Sequence, residues 1–345
     1  MRVTARKIQV ALGLLWLLDG ALQLQPFMFG RGFAQRVIAP TADGQPQFVA
    51  GGVHWATALI LTHPAAYDTV FALVQIALGI GLLIPATARL ALAGSIGWGL
   101  GVWYFGEGLG GISSGHALML TGAPGAALLY VVLAVALWPK VARRTDGSTV
   151  RTATVAAWLP LAWAALWVGS AVFGALPGQN TGNAISQAIE DSADGAPGWL
   201  AAIDRQVAQN LHGAGLGIVI GLAMVQLVIG VAGLARGWAR TAAVWVGTIL
   251  SLAFWVVGQS LGELYSGQAT DPSAAVVVVL LGAAVLTADP ASRIEVAVES
   301  RKRAGVRSAA NSSAYFLAAA ARLMSGQWAS HPRVPVRRRA TRIRA

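Results

Sequence analysis

The stretch Trp103-Tyr-Phe-Gly-Glu-Gly-Leu-Gly-Gly-Ile-Ser-Ser-Gly-His-Ala117 decides the fold, because it returns as Trp255-Val-Val-Gly-Gln-Ser-Leu-Gly-Glu-Leu-Tyr-Ser-Gly-Gln-Ala269. At a constant offset of 152, Trp103 meets Trp255, Gly106 meets Gly258, Leu109-Gly110 meets Leu261-Gly262, and Ser114-Gly115 meets Ser266-Gly267. Glu107 becomes Gln259 and His116 becomes Gln268, so the departures fall largely on polar residues. Working outward at an offset of 151, Leu15-Trp16 matches Leu166-Trp167 and Pro26 matches Pro177. Gly44-x-Pro46-x-Phe48 matches Gly195-x-Pro197-x-Trp199, Gln75 matches Gln226, Gly79 matches Gly230, and Arg89 matches Arg240. Self-similarity at a fixed period marks a tandem duplication.

Composition names the solvent of this duplication. Of 345 residues, 56% are hydrophobic and 11% charged, with a mean hydropathy of +0.61. A soluble domain carries about 25% charged residues, and no soluble fold of this length hides so much apolar surface. The lipid bilayer is therefore the expected environment. The absence of cysteine excludes disulfides, thiolate chemistry, iron–sulfur clusters and cysteine-ligated zinc.

Apolar runs of roughly spanning length lie at 8–24, 67–84, 90–105 and 117–138, and again at 154–173, 215–235, 241–257 and 273–286. The first follows Arg2, Arg6 and Lys7 as a secretory signal would, but no small-residue cleavage site follows it, so it reads as an uncleaved span. The prediction is an all-α integral membrane protein of eight transmembrane helices, built as two parallel four-helix repeats. Residues 1–140 form the first repeat, 141–152 a cytoplasmic basic linker, 153–289 the second repeat, and 290–345 a basic cytoplasmic tail, largely disordered, with one helical candidate at 314–324. With the N-terminus inside, 22 of the 25 Arg and Lys residues fall on the cytoplasmic side, and the outer side keeps Arg31, Arg36 and Arg205. This asymmetry is what the positive-inside rule requires. It places the chain in a bacterial plasma membrane with both termini cytoplasmic. The outer segments 27–66 and 174–213 are too long for simple turns. They mix Phe, Trp and Leu with polar residues, and predict short amphipathic helices at the outer interface or capping the bundle.

The net charge of +11 is concentrated in the tail, where twelve Arg and Lys after Pro290 face only Glu295 and Glu299. On a membrane chain this reads as a retention signal lying against anionic lipid headgroups. It is not read as a nucleic-acid site. A membrane protein partner is a further candidate for the tail.

A first helix with Leu15-Trp16 and Gly20 that ends at a Pro, an amphipathic outer segment, and the helix Val74-Gln-Ile-Ala-Leu-Gly-Ile-Gly-Leu-Leu-Ile-Pro-Ala-Thr-Ala-Arg89 together resemble the DoxX-like family of four-helix membrane proteins. The resemblance covers most of 8–138 and extends more weakly over 154–287. It implies a component of a membrane redox or quinone-linked process. The duplicated Trp-x-x-Gly-Glu/Gln stretch is not part of that family's pattern.

The candidate functional positions are polar residues of the spans and their outer ends: Glu107, His116, Gln259 and Asp19. A carboxylate near the bilayer edge is a functional candidate by default, while Gln259 at the matched position points to a solvated helix end for Glu107. Asp19, matched by Ser170, either faces the bundle or reaches the headgroups. His54, His63, His116 and His212 lie on the outer side without metal-ligand spacing. Gly106, Gly108 and Gly111 mimic a dinucleotide fingerprint but follow a membrane helix instead of a strand. They read as a tight turn between spans, with Ser114 and Ser266 as N-caps of the spans that follow. Trp103, Trp138, Trp167 and Trp238 lie near predicted span ends, where interfacial aromatic belts sit. Three functions fit: a redox or quinone-linked component, a small-solute or ion transporter with its pathway at the repeat interface near Glu107 and Gln259, and a non-catalytic scaffold acting through the tail. No cofactor is named by any motif.

Overall fold

A computed structural model describes residues 3–288 apart from 116, 139, 144–148, 153–154, 177–180, 182 and 214, with 140–143 and 149–152 described as backbone. The tail, with its helical candidate, and His116 lie outside the described residues.

The described residues are mostly helical. In the first half the α-helices are α1 (Ala5–Gln23), α2 (Gln47–Thr62), α3 (Pro64–Leu83), α4 (Ala88–Gly101) and α5 (Ala126–Ala136). In the second they are α6 (Leu159–Gly174), α7 (Ala184–Ser192), α8 (Gly198–Leu211), α9 (Leu216–Gly233), α10 (Trp238–Val256) and α11 (Ala274–Thr287). Each of the eight apolar runs contains a helix. Three of them, α3, α9 and α10, are long and apolar enough to cross a membrane. The segment read as a plain linker contains a hairpin: β1 (Lys140–Arg143) pairs antiparallel with β2 (Thr149–Thr152), Lys140 opposite Thr152.

Helix α1 shows how sequence pattern becomes packing. Ile8, Leu12, Trp16, Asp19 and Gln23 recur at helical spacing and are all buried, so they form one face. Gly13 and Gly79 let α1 approach α3: a Cβ added to Gly79 would stand 2.8 Å from the Gly13 carbonyl oxygen. This is the small-residue packing that membrane helices use in place of a hydrophobic driving force. In the second half α6 meets α9 the same way, where Gly230 faces Val168 and the Ala164 carbonyl. Helices α1, α3, α4 and α5 pack in that order, and α6, α9, α10 and α11 repeat it. Helix α11 then packs on α5, α1 and α6, joining the halves.

The long segments 27–66 and 174–213 do contain helices. α2, with a π-helical turn at Phe33–Ile38, builds a second apolar cluster around Met28, Phe33, Ile38, Val49 and Val53. α7 and α8 occupy the matching place in the second half.

Three expectations are corrected. The run 117–138 is α-helical only from Ala126, after a 3-10 turn at Met119–Thr121, because Pro124 and Gly125, the latter at φ 99°, break it. Ser114 and Ser266 therefore start no span: the Ser114 hydroxyl donates to the Gly111 carbonyl, and the Ser266 hydroxyl accepts from the Gln268 N–H. Trp167 is fully buried, not interfacial.

Candidate functional site

The duplicated stretches build two similar loops that tie helix to helix. After α4 the chain makes a π-helical turn at Val102–Gly106, and then Leu109 and Gly110 enter the left-handed region at φ 57° and 61°. Leu261 and Gly262 do the same at φ 54° and 66°. Glycine is required at 110: a Cβ there would stand 1.9 Å from the Pro124 carbonyl oxygen. The Trp103 indole N–H donates to that same carbonyl at 2.8 Å, and the Trp255 indole donates to the Pro272 carbonyl at 2.9 Å. These spacings are 21 and 17 residues, so the second loop is four residues shorter and Pro272 stands where Pro124 does.

This register explains Glu107 and Gln259. Glu107 Oε1 accepts the Ala127 N–H at 3.0 Å, and Gln259 Oε1 accepts the Ala275 N–H at 3.3 Å and the Ser273 hydroxyl. Each side chain caps the first turn of the next helix, where N–H groups lack intrahelical partners. Neither is a solvated helix end. Gln259 has a second duty, donating from Nε2 to the Met119 carbonyl at 2.8 Å and so joining the two loops.

Where Gln259 carries that donor, Glu107 carries a second oxygen. Oε2 is shut off from solvent and has no hydrogen-bond partner. Glu107 lines a cavity of about 330 Å³ that lies among α1, α3, α4 and α5, with α2 contributing Trp55, Ala56, Leu59 and Ile60 to its wall. The outer segment is held there because the Tyr104 hydroxyl donates to the Phe48 carbonyl at 2.5 Å and Trp55 packs on Phe105 with ring centroids 5.4 Å apart.

Two further carboxyls line the same cavity. Asp19 is 2% exposed and accepts the Tyr130 hydroxyl at 3.2 Å, so it faces the bundle and does not snorkel. Trp16 packs edge-on against Tyr130, ring centroids 4.7 Å apart. Asp271 comes from the second half, held by the Ser273 N–H at 2.7 Å and the Thr270 hydroxyl at 3.0 Å. The cavity thus lies inside the first helix group, with a second-half loop contributing one acid, and not along a seam between matched positions. Counting from the two prolines, Asp19, Glu107 and Tyr130 correspond to Ser170, Gln259 and Val278, so the second half keeps the architecture without these three side chains at the matched positions.

No Arg, Lys or His lines the cavity among the described residues. Burial first, and then the negative charge of Asp271, push the Glu107 carboxyl up to about 8 despite the N–H bonds from α5. Burial likewise raises Asp271. Carboxyls in such a place hold protons, or hold a cation in their stead.

Of the residues singled out in the sequence, Asp19 and Glu107 come together, Gln259 caps α11 and binds the first loop, and His116 lies outside the described residues. Sequence reading missed Tyr130, Asp271, Gln75 and the indoles of Trp16 and Trp98. Tyr130 carried a signal, as the one polar-ended side chain in the apolar run Ala126–Ala136. Asp271 carried none beyond its count among the outer acids. Among the described residues no group of three His, Asp or Glu is placed to hold a metal ion. No protein-family model, no curated protein and no solved structure matches the chain.

Proposed function

We propose that the chain is an eight-span membrane protein, two tandem four-helix repeats with both termini in the cytoplasm of a bacterium, that binds a small solute in the first repeat and moves it across the plasma membrane. The observation that carries this reading is the cavity itself, where the acids Asp19, Glu107 and Asp271 converge among aromatic walls. Its volume suits a small molecule, since ligand sites begin at about 300 Å³. Acids inside an apolar bundle are costly and mark pathways. The acids break the symmetry of two otherwise matched halves, as a site grafted onto a duplicated scaffold would. The concentration of Arg and Lys on one side supports the orientation.

The test is flux in reconstituted vesicles across a panel of small organic solutes. Glu107→Gln keeps the cap on α5 and removes the titratable carboxyl, so it abolishes flux while leaving the fold intact. Full flux by that variant overturns the proposal.

A quinone-linked role is the second reading, suggested by the DoxX-like resemblance. The observation that favours it is that Trp16 and Trp98 line the cavity while their indole N–H groups, shut off from solvent, have no acceptors; a rotation of either ring would offer a donor to a quinone carbonyl. Organic extraction of gently purified protein followed by ultraviolet absorbance decides it, because a quinone-free extract removes its support.

A further inference from the structure

We propose that the occupant of the cavity is a small hydrophobic organic cation, a protonated or quaternary amine on an aromatic or aliphatic body. This rests on the reading of the cavity as a solute site and names the chemical class of the solute.

Two independent features select that class. The first is charge. Asp19 from α1, Glu107 from the turn after α4, and Asp271 from the loop before α11 line one cavity, with no basic side chain among its described walls. A cation can take the place of their protons, whereas an anion meets no positive partner there. The second is the wall. Trp16, Trp55, Tyr67, Phe71, Trp98 and Phe105 line the same cavity, and aromatic faces attract a cation. A hydrated metal ion gains little from such a wall, whereas an ammonium with an apolar body uses both parts of it.

The groups that face Glu107 decide the pH response. They are Asp19 from α1, Tyr130 from α5 and Asp271 from the connection before α11. Tyr67 of α3 lines the same cavity, and α2 and α4 contribute no titratable side chain to the lining. All are acids or phenols. A cation that enters therefore takes the place of protons: the ammonium binds, the carboxyl O–H bond breaks, and the proton leaves for water. Binding strengthens as pH rises through the range where Glu107 loses its proton.

The test uses full-length protein in lipid nanodiscs and reads quenching of the cavity tryptophans. The probes are phenyltrimethylammonium and tert-butylbenzene, which share a shape and differ in charge. The cation is expected to bind at least about tenfold more tightly than the hydrocarbon. Its affinity is expected to rise about tenfold per pH unit below pH 8 while one proton is released, and to fall about tenfold or more in Glu107→Gln, with partial recovery in Glu107→Asp. Equal binding of the two probes, or a cation affinity indifferent to pH and to Glu107→Gln, overturns the cation assignment and leaves the solute site standing. Failure of both probes to bind removes the solute site as well. Should Glu107→Gln not fold, the two probes on unaltered protein still decide.

Discussion

At the scale of single residues, Glu107 both caps a helix and lines the cavity. Oε1 caps α5, as Gln259 caps α11, and Oε2 is shut off from solvent without a partner. Substitutions can therefore separate the tasks. Glu107→Ala loses the cap and is expected to cost about 1 kcal/mol, read as a melting point lower by about 2–4 °C. Glu107→Gln keeps an acceptor for the Ala127 N–H and should melt near the unaltered protein at neutral pH, while losing a pH dependence. The sign follows from the carboxyl's value of about 8, raised from 4.5. The folded state holds a proton that the unfolded chain releases, so this group's contribution is fully present below about 4.5 and is lost as pH rises through about 8. Melting points between pH 5 and 9 should fall in the unaltered protein and fall less in Glu107→Gln; parallel curves would contradict the assignment. Gly110→Ala is the severe change, because its Cβ meets the Pro124 carbonyl oxygen at 1.9 Å in a left-handed backbone. It should cost more than about 2 kcal/mol and show as poor yield of folded protein.

At the scale of elements, the telling case is the run 117–138. It is apolar enough to be read as a span, yet Ala123-Pro124-Gly125 interrupts it and α5 begins at Ala126. Hydropathy reports that a segment avoids water, but backbone hydrogen bonding decides whether it is a helix. Irregular backbone among apolar helices is tolerated only where its polar groups find partners. Here the partners are Trp103 on the Pro124 carbonyl, Gln45 on the Gly108 carbonyl at 2.7 Å and Gln259 on the Met119 carbonyl. None of these pairings is visible in hydropathy, although the repetition of Trp103 at Trp255 signalled that the tryptophan mattered. Trp103→Phe should lose a single hydrogen bond, about 1 kcal/mol, and Trp255→Phe a similar amount, measured by thermal melting. The α1–α3 seam predicts a larger effect. Gly79→Leu places a side chain where even a Cβ stands 2.6 Å from Leu17, and should separate the two helices that carry Asp19 and Gln75, lowering yield and melting point together.

At the scale of the whole molecule, the proposed orientation makes a simple prediction, because the chain has no cysteine to remove. A cysteine at Gln209, exposed in the outer segment, should react with a membrane-impermeant maleimide in intact cells. A cysteine at Ser148 should react only after permeabilisation, and the reverse pattern would invert the topology. The sequence by itself determined the helical class, the places of the apolar helices and the matching of Glu107 with Gln259, because composition and periodicity are local properties of the chain. It also singled out Asp19 and Glu107 as acids in the wrong solvent. The tertiary structure alone decided that these two share a cavity with Asp271, 252 positions beyond Asp19, and that Gln259 caps α11 without lining that cavity. Such convergence depends on which helix faces which, and that is set by close approaches such as Gly13 on Gly79 and by loop lengths differing by four residues, neither of which hydropathy records.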